Sequence, residues 1–87
     1  MVTAEALGGA VARALDLRGL HCPLPVLKIR KALAGLGPGL ELVAVTDDPL
    51  AAVDVPNFVR ESGDALVDVR REGAARVFRI RKRESSA

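Results

Sequence analysis

Cys22 is the only cysteine of this chain and the residue best suited to covalent chemistry. Pro23 and Pro25 follow it at alternate positions, and a segment with helical periodicity comes next. A residue before proline is pushed toward extended backbone angles, which a helix N-cap requires, and proline in the first helical turn sacrifices no hydrogen bond. The pattern therefore predicts Cys22 as the N-cap, Pro23 as the first helical residue and Pro25 as the third.

An N-cap position is expected to activate the Cys22 sulfur. The positive end of a helix favours a thiolate, and helix N-termini lower the pKa of cysteine from its usual value of about 8.5. Because the third helical residue is a proline, the sulfur should accept its hydrogen bond from the Leu24 amide, and Lys28 and Arg30 add positive potential. We expect an exposed sulfur with a depressed pKa; the alternative is a small buried hydrophobic residue.

Other reactive side chains give weaker candidates. His21 precedes the cysteine, but adjacent residues of extended backbone point to opposite sides, so a role as base is disfavoured. Asp47, Asp48 and Asp54 are interpreted as turn and cap residues, with a Mg²⁺ site as the weaker alternative. One histidine and one cysteine are too few for a zinc site, so we expect no metal and no other cofactor.

Length and composition limit the class of protein. The chain has 87 residues, 49% of them hydrophobic, and a net charge of +2, which fits one small globular domain. A lone cysteine excludes an internal disulfide framework and a Cys-x-x-Cys redox pair. Neither a secretory signal nor an apolar run of about 20 residues is present, so we expect a cytoplasmic protein without a membrane span. A monomer is the simplest assembly.

The first half of the domain predicts a βαβ unit. Residues 14–18 alternate apolar and polar, which is typical of a half-buried strand. The helix after Cys22 repeats apolar residues at spacings of three and four and should end near Gly35. Residues 40–45 are nearly all apolar, as in a central strand. Two strands separated by one helix should run parallel. The inward positions of that helix are Val26, Ile29, Leu33 and Leu36.

The second half predicts one more helix and a hairpin. Asp48 can cap the second helix with Pro49 as its first residue, and Pro56 should divide it into a short turn and a main helix over residues 56–61. Strands over residues 65–70 and 75–82 should flank a turn at Glu72-Gly73. On the last strand, the inward residues are Phe78 and Ile80 and the outward ones are Arg79 and Arg81.

These elements predict an α/β (α+β) fold with the order βαβαββ, in which a four-stranded mixed sheet carries two helices on one face. The far face of the sheet is left partly open. We expect the domain to span residues 14–83, between a flexible leader at 1–13 and a disordered tail at 84–87.

Several motifs resemble the TusA/SirA/YedF family of small sulfur-carrier proteins. Residues 16–25 read DLRGLHCPLP, which is similar to the family's signature of Cys-Pro-x-Pro after an Arg-Gly-Leu lead. Asp48-Pro49 and the later Asp54-Val55-Pro56-x-Phe58 resemble a second family segment, and Phe78-x-Ile80-x-Lys82 resembles its last strand. The resemblance covers residues 14–82, which is nearly the whole chain.

The resemblance implies a two-layer α/β sandwich, similar to the C-terminal domain of a bacterial translation initiation factor, and a persulfide carried on Cys22. A cysteine desulfurase or rhodanese-like donor would supply sulfane sulfur, and a downstream protein would accept it. The relay serves tRNA 2-thiouridine formation, sulfur oxidation, molybdenum-cofactor or selenium pathways in different branches, which the sequence does not separate. The protein would then be a sulfurtransferase-type carrier rather than an enzyme with independent turnover, and nucleic acid would be involved only indirectly.

Individual residues receive roles from the same resemblance. Pro23, Leu24 and Pro25 would support the start of the helix. The positions of Arg30, Lys28 and Asp48 could dock a partner. Many relatives carry a second cysteine just after the Phe of the Pro-x-Phe segment, where this chain has Val59. That departure bears on roles that need two thiols and leaves a single-thiol relay intact.

Two other functions remain open from the sequence. Basic clusters at residues 28–31 and 79–83 suggest an RNA-binding module, although the chain has only two aromatic residues to stack on bases. The same clusters are also typical of a solvated helix face and a charged tail. A regulatory protein-interaction module with an incidental cysteine is the third reading.

Overall fold

The computed structural model describes residues 11–84, which form four strands and two helices in the order βαβαββ. The elements are β1 (Val11–Asp16), α1 (Leu24–Ala34), β2 (Glu41–Thr46), α2 (Ala51–Ser62), β3 (Ala65–Glu72) and β4 (Ala75–Arg81). The sheet order is β1-β2-β4-β3, with β1 parallel to β2 and the other two pairs antiparallel. The predicted element order and mixed sheet are therefore confirmed, as is the central position of β2.

One apolar core joins both helices to one face of the sheet. Ile29 of α1 and Val55 of α2 are fully buried in it, and so are the predicted inward residues Phe78 and Ile80 of β4. Burial of each large apolar side chain contributes about 1.5–3 kcal/mol to folding. The other members are Leu17, Ala32, Leu33, Leu42, Ala44, Ala51 and Val59.

The first strand begins earlier than the sequence pattern predicts. β1 starts at Val11 rather than at residue 14 and ends at Asp16, and its register with β2 shifts between Val11 and Arg13. Contact with β2 continues past the strand, because the Leu17 amide donates to the Val45 carbonyl at 2.7 Å. Of the predicted leader and tail, residues 1–10 and 85–87 lie outside the described residues.

The second helix differs from its prediction at its start and its middle. α2 is one helix over Ala51–Ser62 with Pro56 inside it, not a short turn followed by a main helix from Pro56. Its N-cap is Leu50, and the carboxylate of Asp48, two residues earlier, accepts the Leu50 amide at 3.2 Å. Proline costs the helix one backbone hydrogen bond, and the burial of Val55 and Val59 on the core side offsets that loss. Neither α1 nor α2 is long and apolar enough to cross a membrane.

A buried carboxylate organises the opposite face of the sheet. Glu41 of β2 is 1% exposed, and Arg79 and Arg81 of β4 both bond to it. The Arg81 Nη2 lies 2.8 Å from Oε2. Burial by itself raises the pKa of Glu41, but the hydrogen bonds and charges of the two arginines outweigh burial and lower that pKa below its usual value. The two arginines predicted to face outward therefore neutralise a buried charge.

Replacing Glu41 should destabilise the fold. Glu41→Gln removes the charge and leaves both guanidinium groups without their anionic partner. We expect a loss of about 1–2 kcal/mol in the free energy of unfolding, at the modest end because Arg79 and Arg81 keep part of their hydration. Urea unfolding at pH 7 measures the loss. Glu72→Gln, at an exposed end of β3, is the matched control, and equal stability of the two variants would contradict the role given to Glu41.

The bonds of Glu41 to the two arginines also predict that the stability of the fold decreases at acid pH. The folded pKa of Glu41 is lower than its unfolded value of about 4.3, so the unfolded chain binds more protons as pH falls. The contribution of Glu41 is complete above the unfolded pKa and is lost as pH falls through the folded pKa. In urea titrations from pH 7 to pH 3, the stability gap between the wild type and Glu41→Gln should narrow below about pH 4. A gap that stays constant over this range would be inconsistent with an ionised Glu41.

Candidate functional site

The site lies where two loops meet at one edge of the sheet. Because β1 and β2 are parallel, the loop after β1 and the loop after β2 leave the sheet at the same edge. Asp47 Oδ1 accepts the Gly19 amide at 2.9 Å, and Asp48 Oδ2 accepts the Cys22 amide at 2.7 Å. Two aspartates from the second loop thus hold the backbone of the cysteine loop in place.

The Cys22 thiol is exposed and turns toward α2. Its Sγ lies 2.8 Å from Oδ2 of Asp54, which belongs to the first turn of α2 and is partly buried. The thiol is the donor in this contact and the carboxylate is the acceptor. Sequence reasoning treated Asp54 as a turn or cap residue and missed the pairing, although the aspartate stands inside the second motif of the family resemblance.

The first helix does not begin where the sequence pattern places it. Pro23 is the N-cap and Leu24 the first helical residue, so the prediction of Cys22 as N-cap is wrong. The Leu24 amide donates to the His21 carbonyl at 2.8 Å instead of to the cysteine sulfur, which also corrects the predicted sulfur contact. The Leu24 amide is therefore already hydrogen-bonded in a backbone turn that precedes the helix. Pro25, in the first turn of α1, is buried, whereas Pro23 and Leu24 are exposed.

The predicted direction of the Cys22 pKa shift is also wrong for this arrangement. The hydrogen bond to Asp54 raises the pKa of the thiol above its ordinary value, and burial together with the negative charges of Asp54 and Asp48 raises it further. Lys28 and Arg30, which were expected to lower the pKa, are exposed on α1 and are not among the groups that shift it. The resting site therefore favours the neutral thiol.

Asp48 is ionised for a structural reason. The backbone amides of Cys22 and Leu50 donate to its two carboxylate oxygens and lower its pKa below the usual value, against the opposing effect of burial. The charge of His21 lowers the Asp48 pKa further. Within residues 11–84, no hydrogen bond joins the His21 side chain to the Cys22 sulfur. A carboxylate predicted to cap a helix or dock a partner thus fastens the loop that carries the thiol.

Two shallow grooves run between α1 and α2. The groove beside the thiol is lined by Pro23, Val26, Asp54, Asn57, Phe58 and Glu61. Arg30 lines a different groove with Phe58, Lys82 and Arg83, while Lys28 lies exposed on α1. The structure therefore separates the two basic docking candidates on α1 from the acidic surroundings of Cys22.

The aspartates near Cys22 are engaged with protein groups. Asp47 and Asp48 bind backbone amides, and Asp54 binds the thiol. In the described range 11–84, no group of three or more His, Cys, Asp or Glu side chains is arranged to hold a metal ion. The chemistry that this arrangement can perform is that of a single exposed sulfur next to a carboxylate.

Comparisons with known proteins identify relatives of this chain. The family model for the sulfurtransferase TusA matches residues 13–82. The sulfur carrier protein TusA of Allochromatium vinosum is 35% identical over 68 residues, which are 78% of this chain and 90% of that protein. The crystal structure of a SirA-like protein from Desulfitobacterium hafniense superposes with a TM-score of 0.73 at 23% identity, covering 83% of this chain and 99% of that one, and supports the same fold.

The match to the family model covers both loops of the site, the two helices and all but the first residues of the sheet. The relative from A. vinosum matches along nearly its whole length. The resemblance predicted from the residues around Cys22 is confirmed, and this chain belongs to the TusA family of sulfurtransferases and sulfur carriers.

Proposed function

We propose that this protein carries sulfane sulfur as a persulfide on Cys22 and passes it to an acceptor protein. The observation that carries the proposal is the position of the only thiol of the chain. Cys22 is exposed on a loop that Asp48 fastens to the start of α2, inside the family's Cys-Pro-x-Pro motif. Pro25 of the same motif is buried in the first turn of α1, which follows this loop.

The proposed transfer balances without an oxidant. The Cys22 sulfur attacks the outer sulfur of a donor persulfide, a new S–S bond forms, and the old S–S bond breaks with its electron pair leaving on the donor thiolate. The proton of the Cys22 thiol goes to that thiolate, so a donor persulfide and a Cys22 thiol become a donor thiol and a Cys22 persulfide. In a second exchange of the same kind, an acceptor thiol attacks the outer sulfur of the Cys22 persulfide, which leaves the sulfur on the acceptor and a thiol on Cys22. No second cysteine of this chain competes for it.

The partners in this proposal are proteins. A cysteine desulfurase or a rhodanese-like protein donates the sulfur in the cytoplasm, and a downstream carrier or enzyme receives it. Formation of 2-thiouridine in tRNA is one destination, and nucleic acid enters only through that acceptor. We propose a monomeric carrier without independent turnover, in which the predicted domain of residues 14–83 is extended to Val11 by the start of β1. Val59, where many relatives have a second cysteine, is buried in the core, so a thiol at that position would not share the exposed site.

The surface around Cys22 suits protein docking. Leu24 and Leu27 of α1, and Leu50 and Val53 at the start of α2, are each between 45% and 59% exposed. Exposed apolar side chains next to a reactive group are typical of an interaction site. Arg30 and Lys28 would add attraction for an acidic partner surface. We propose that donor and acceptor approach Cys22 over this surface in turn.

RNA binding receives no support from the described residues. Phe58 and Phe78 are the only aromatic residues of the chain. Phe78 is fully buried, and Phe58 packs against the core. Since unpaired RNA bases are usually held by stacking on aromatic rings, neither face of the sheet offers the expected platform.

Loading of sulfur should depend on Cys22. Incubation with a cysteine desulfurase and cysteine should add about 32 Da, the mass of one sulfur atom, and the gain should disappear on reduction. Cys22→Ser should show no gain in intact mass spectrometry. A gain that persists in Cys22→Ser, or no gain from either class of donor, would count against the proposed carrier.

Docking should depend on Arg30 without affecting the thiol itself. Arg30→Glu reverses a charge on α1 and should slow loading by a desulfurase severalfold, most strongly at low salt. The rate at which a small neutral reagent alkylates Cys22 should be the same in Arg30→Glu as in the wild type. The control is Arg70→Glu, on an exposed position of β3. Equal loading rates for these two variants would remove Arg30 from the docking surface.

A further inference from the structure

The contact between Cys22 and Asp54 sets a carboxylate directly against the sulfur that the proposed function loads and unloads. The two atoms are 2.8 Å apart, which is a short distance for a thiol that donates to a charged oxygen. Asp54 belongs to α2 and is 32 positions away in sequence, so this contact exists only because the fold assembles it. Its effect on the sulfur must differ between the empty and the loaded state.

The charged groups around the sulfur come from three elements. Asp54 faces it from α2 and Asp48 from the loop before α2. His21 precedes Cys22, and its charge acts on Asp48. The first turn of α1 has no acidic residue, and the first charged side chain along that helix is the exposed Lys28. The two aspartates are therefore the groups that dominate the charge at the sulfur, and both also raise the pKa of the thiol.

The empty and loaded forms of Cys22 respond to these carboxylates in opposite ways. A neutral thiol can donate its proton to Asp54 in a hydrogen bond. A persulfide is a stronger acid than its parent thiol and is largely anionic at neutral pH, so it cannot donate and is repelled by the same charge. Like charges at short range disfavour each other unless one of them is protonated or moves away.

We propose that Asp54 favours release of sulfur from Cys22, because it stabilises the empty Cys22 thiol and destabilises the loaded, anionic persulfide. The inference rests on the proposed carrier function. In the unloading step, an acceptor thiol loses its proton and attacks the outer sulfur. The S–S bond of Cys22 breaks with its electron pair on Sγ, and Sγ takes up the proton. The products are an anionic persulfide on the acceptor and the Cys22 thiol bonded to Asp54, so charge leaves the site together with the sulfur.

The first measurement follows the empty thiol and needs no sulfur. Asp54→Asn keeps the size of the side chain and removes its charge. The rate of alkylation of Cys22 by iodoacetamide at pH 7 should rise about threefold or more, and the midpoint of the pH–rate profile should move to lower pH. Asp68→Asn loses the same charge at an exposed position of β3 and should behave as the wild type. Asp54→Glu restores the charge and should recover most of the slow rate.

The second measurement follows the loaded form. Each variant is equilibrated with a fixed mixture of glutathione and glutathione persulfide at pH 7, and intact mass gives the ratio of loaded to empty protein. The ratio should be about threefold or more higher in Asp54→Asn than in the wild type and in Asp68→Asn, since a charge that disfavours the persulfide has been removed. Circular dichroism checks the fold, and Asp54→Ser replaces Asp54→Asn if the latter does not fold.

The outcomes separate this inference from the carrier function. An unchanged alkylation profile overturns the inference, and so does an unchanged or lower loaded ratio, even if the alkylation rate rises. A wild-type protein that takes sulfur from glutathione persulfide but from no protein donor would refute the relay while leaving both measurements on Asp54 valid. A faster alkylation together with a higher loaded ratio supports Asp54 as the residue that favours release of sulfur from Cys22.

Discussion

Parallel pairing of β1 with β2 is the constraint on which the site depends. It sends the two loops that follow these strands to one edge of the sheet, where a carboxylate can meet a backbone amide 26 or 28 positions away in sequence. Asp47 and Asp48 then accept backbone amides of the cysteine loop, so the loop is held by the next unit of the chain. Backbone amides that the loop cannot satisfy internally find carboxylates, which is how the structure fixes an exposed cysteine without burying it.

Two electrostatic effects compete at Cys22, and distance decides between them. A helix end carries roughly half a positive charge, and its influence is confined to the first turn. The helix here starts at Leu24, and the amide of that residue is already bonded to the His21 carbonyl. A full negative charge on Asp54 lies 2.8 Å from the sulfur. The nearer and larger charge prevails, which explains why a thiol at the mouth of a helix is held neutral rather than ionised.

The parts of the fold that follow from local pattern could be predicted from the sequence. Helical spacing identified Ile29 and Leu33 as core residues, and strand alternation did the same for Phe78 and Ile80. Rules based on neighbouring residues failed where contacts with residues distant in sequence determine the local structure. The conformational preferences of proline placed the N-cap of α1 one residue early. They also divided α2 at Pro56, because they do not include the packing of α2 on the core.

Pairings of charge across the fold were equally invisible in the sequence. Glu41 looked like one polar residue in an apolar strand, and nothing nearby in sequence indicates that Arg79 and Arg81 flank it in the sheet. Asp54 looked like a helix-cap residue for the same reason, although it contacts the thiol. The cysteine was identifiable by its motif, and the group that controls it was identifiable only from the assembled structure.

Sulfur and carboxylate sit on separate elements, since Cys22 precedes α1 and Asp54 belongs to the first turn of α2. The N-cap residue Leu50 and Val53 of that turn are 57% and 59% exposed. A partner that covers these two side chains therefore lies beside the carboxylate that acts on the sulfur, and the Coulomb energy between two charges changes steeply at such short range. The first turn of α2 thus joins an apolar contact surface to the group that favours the neutral thiol.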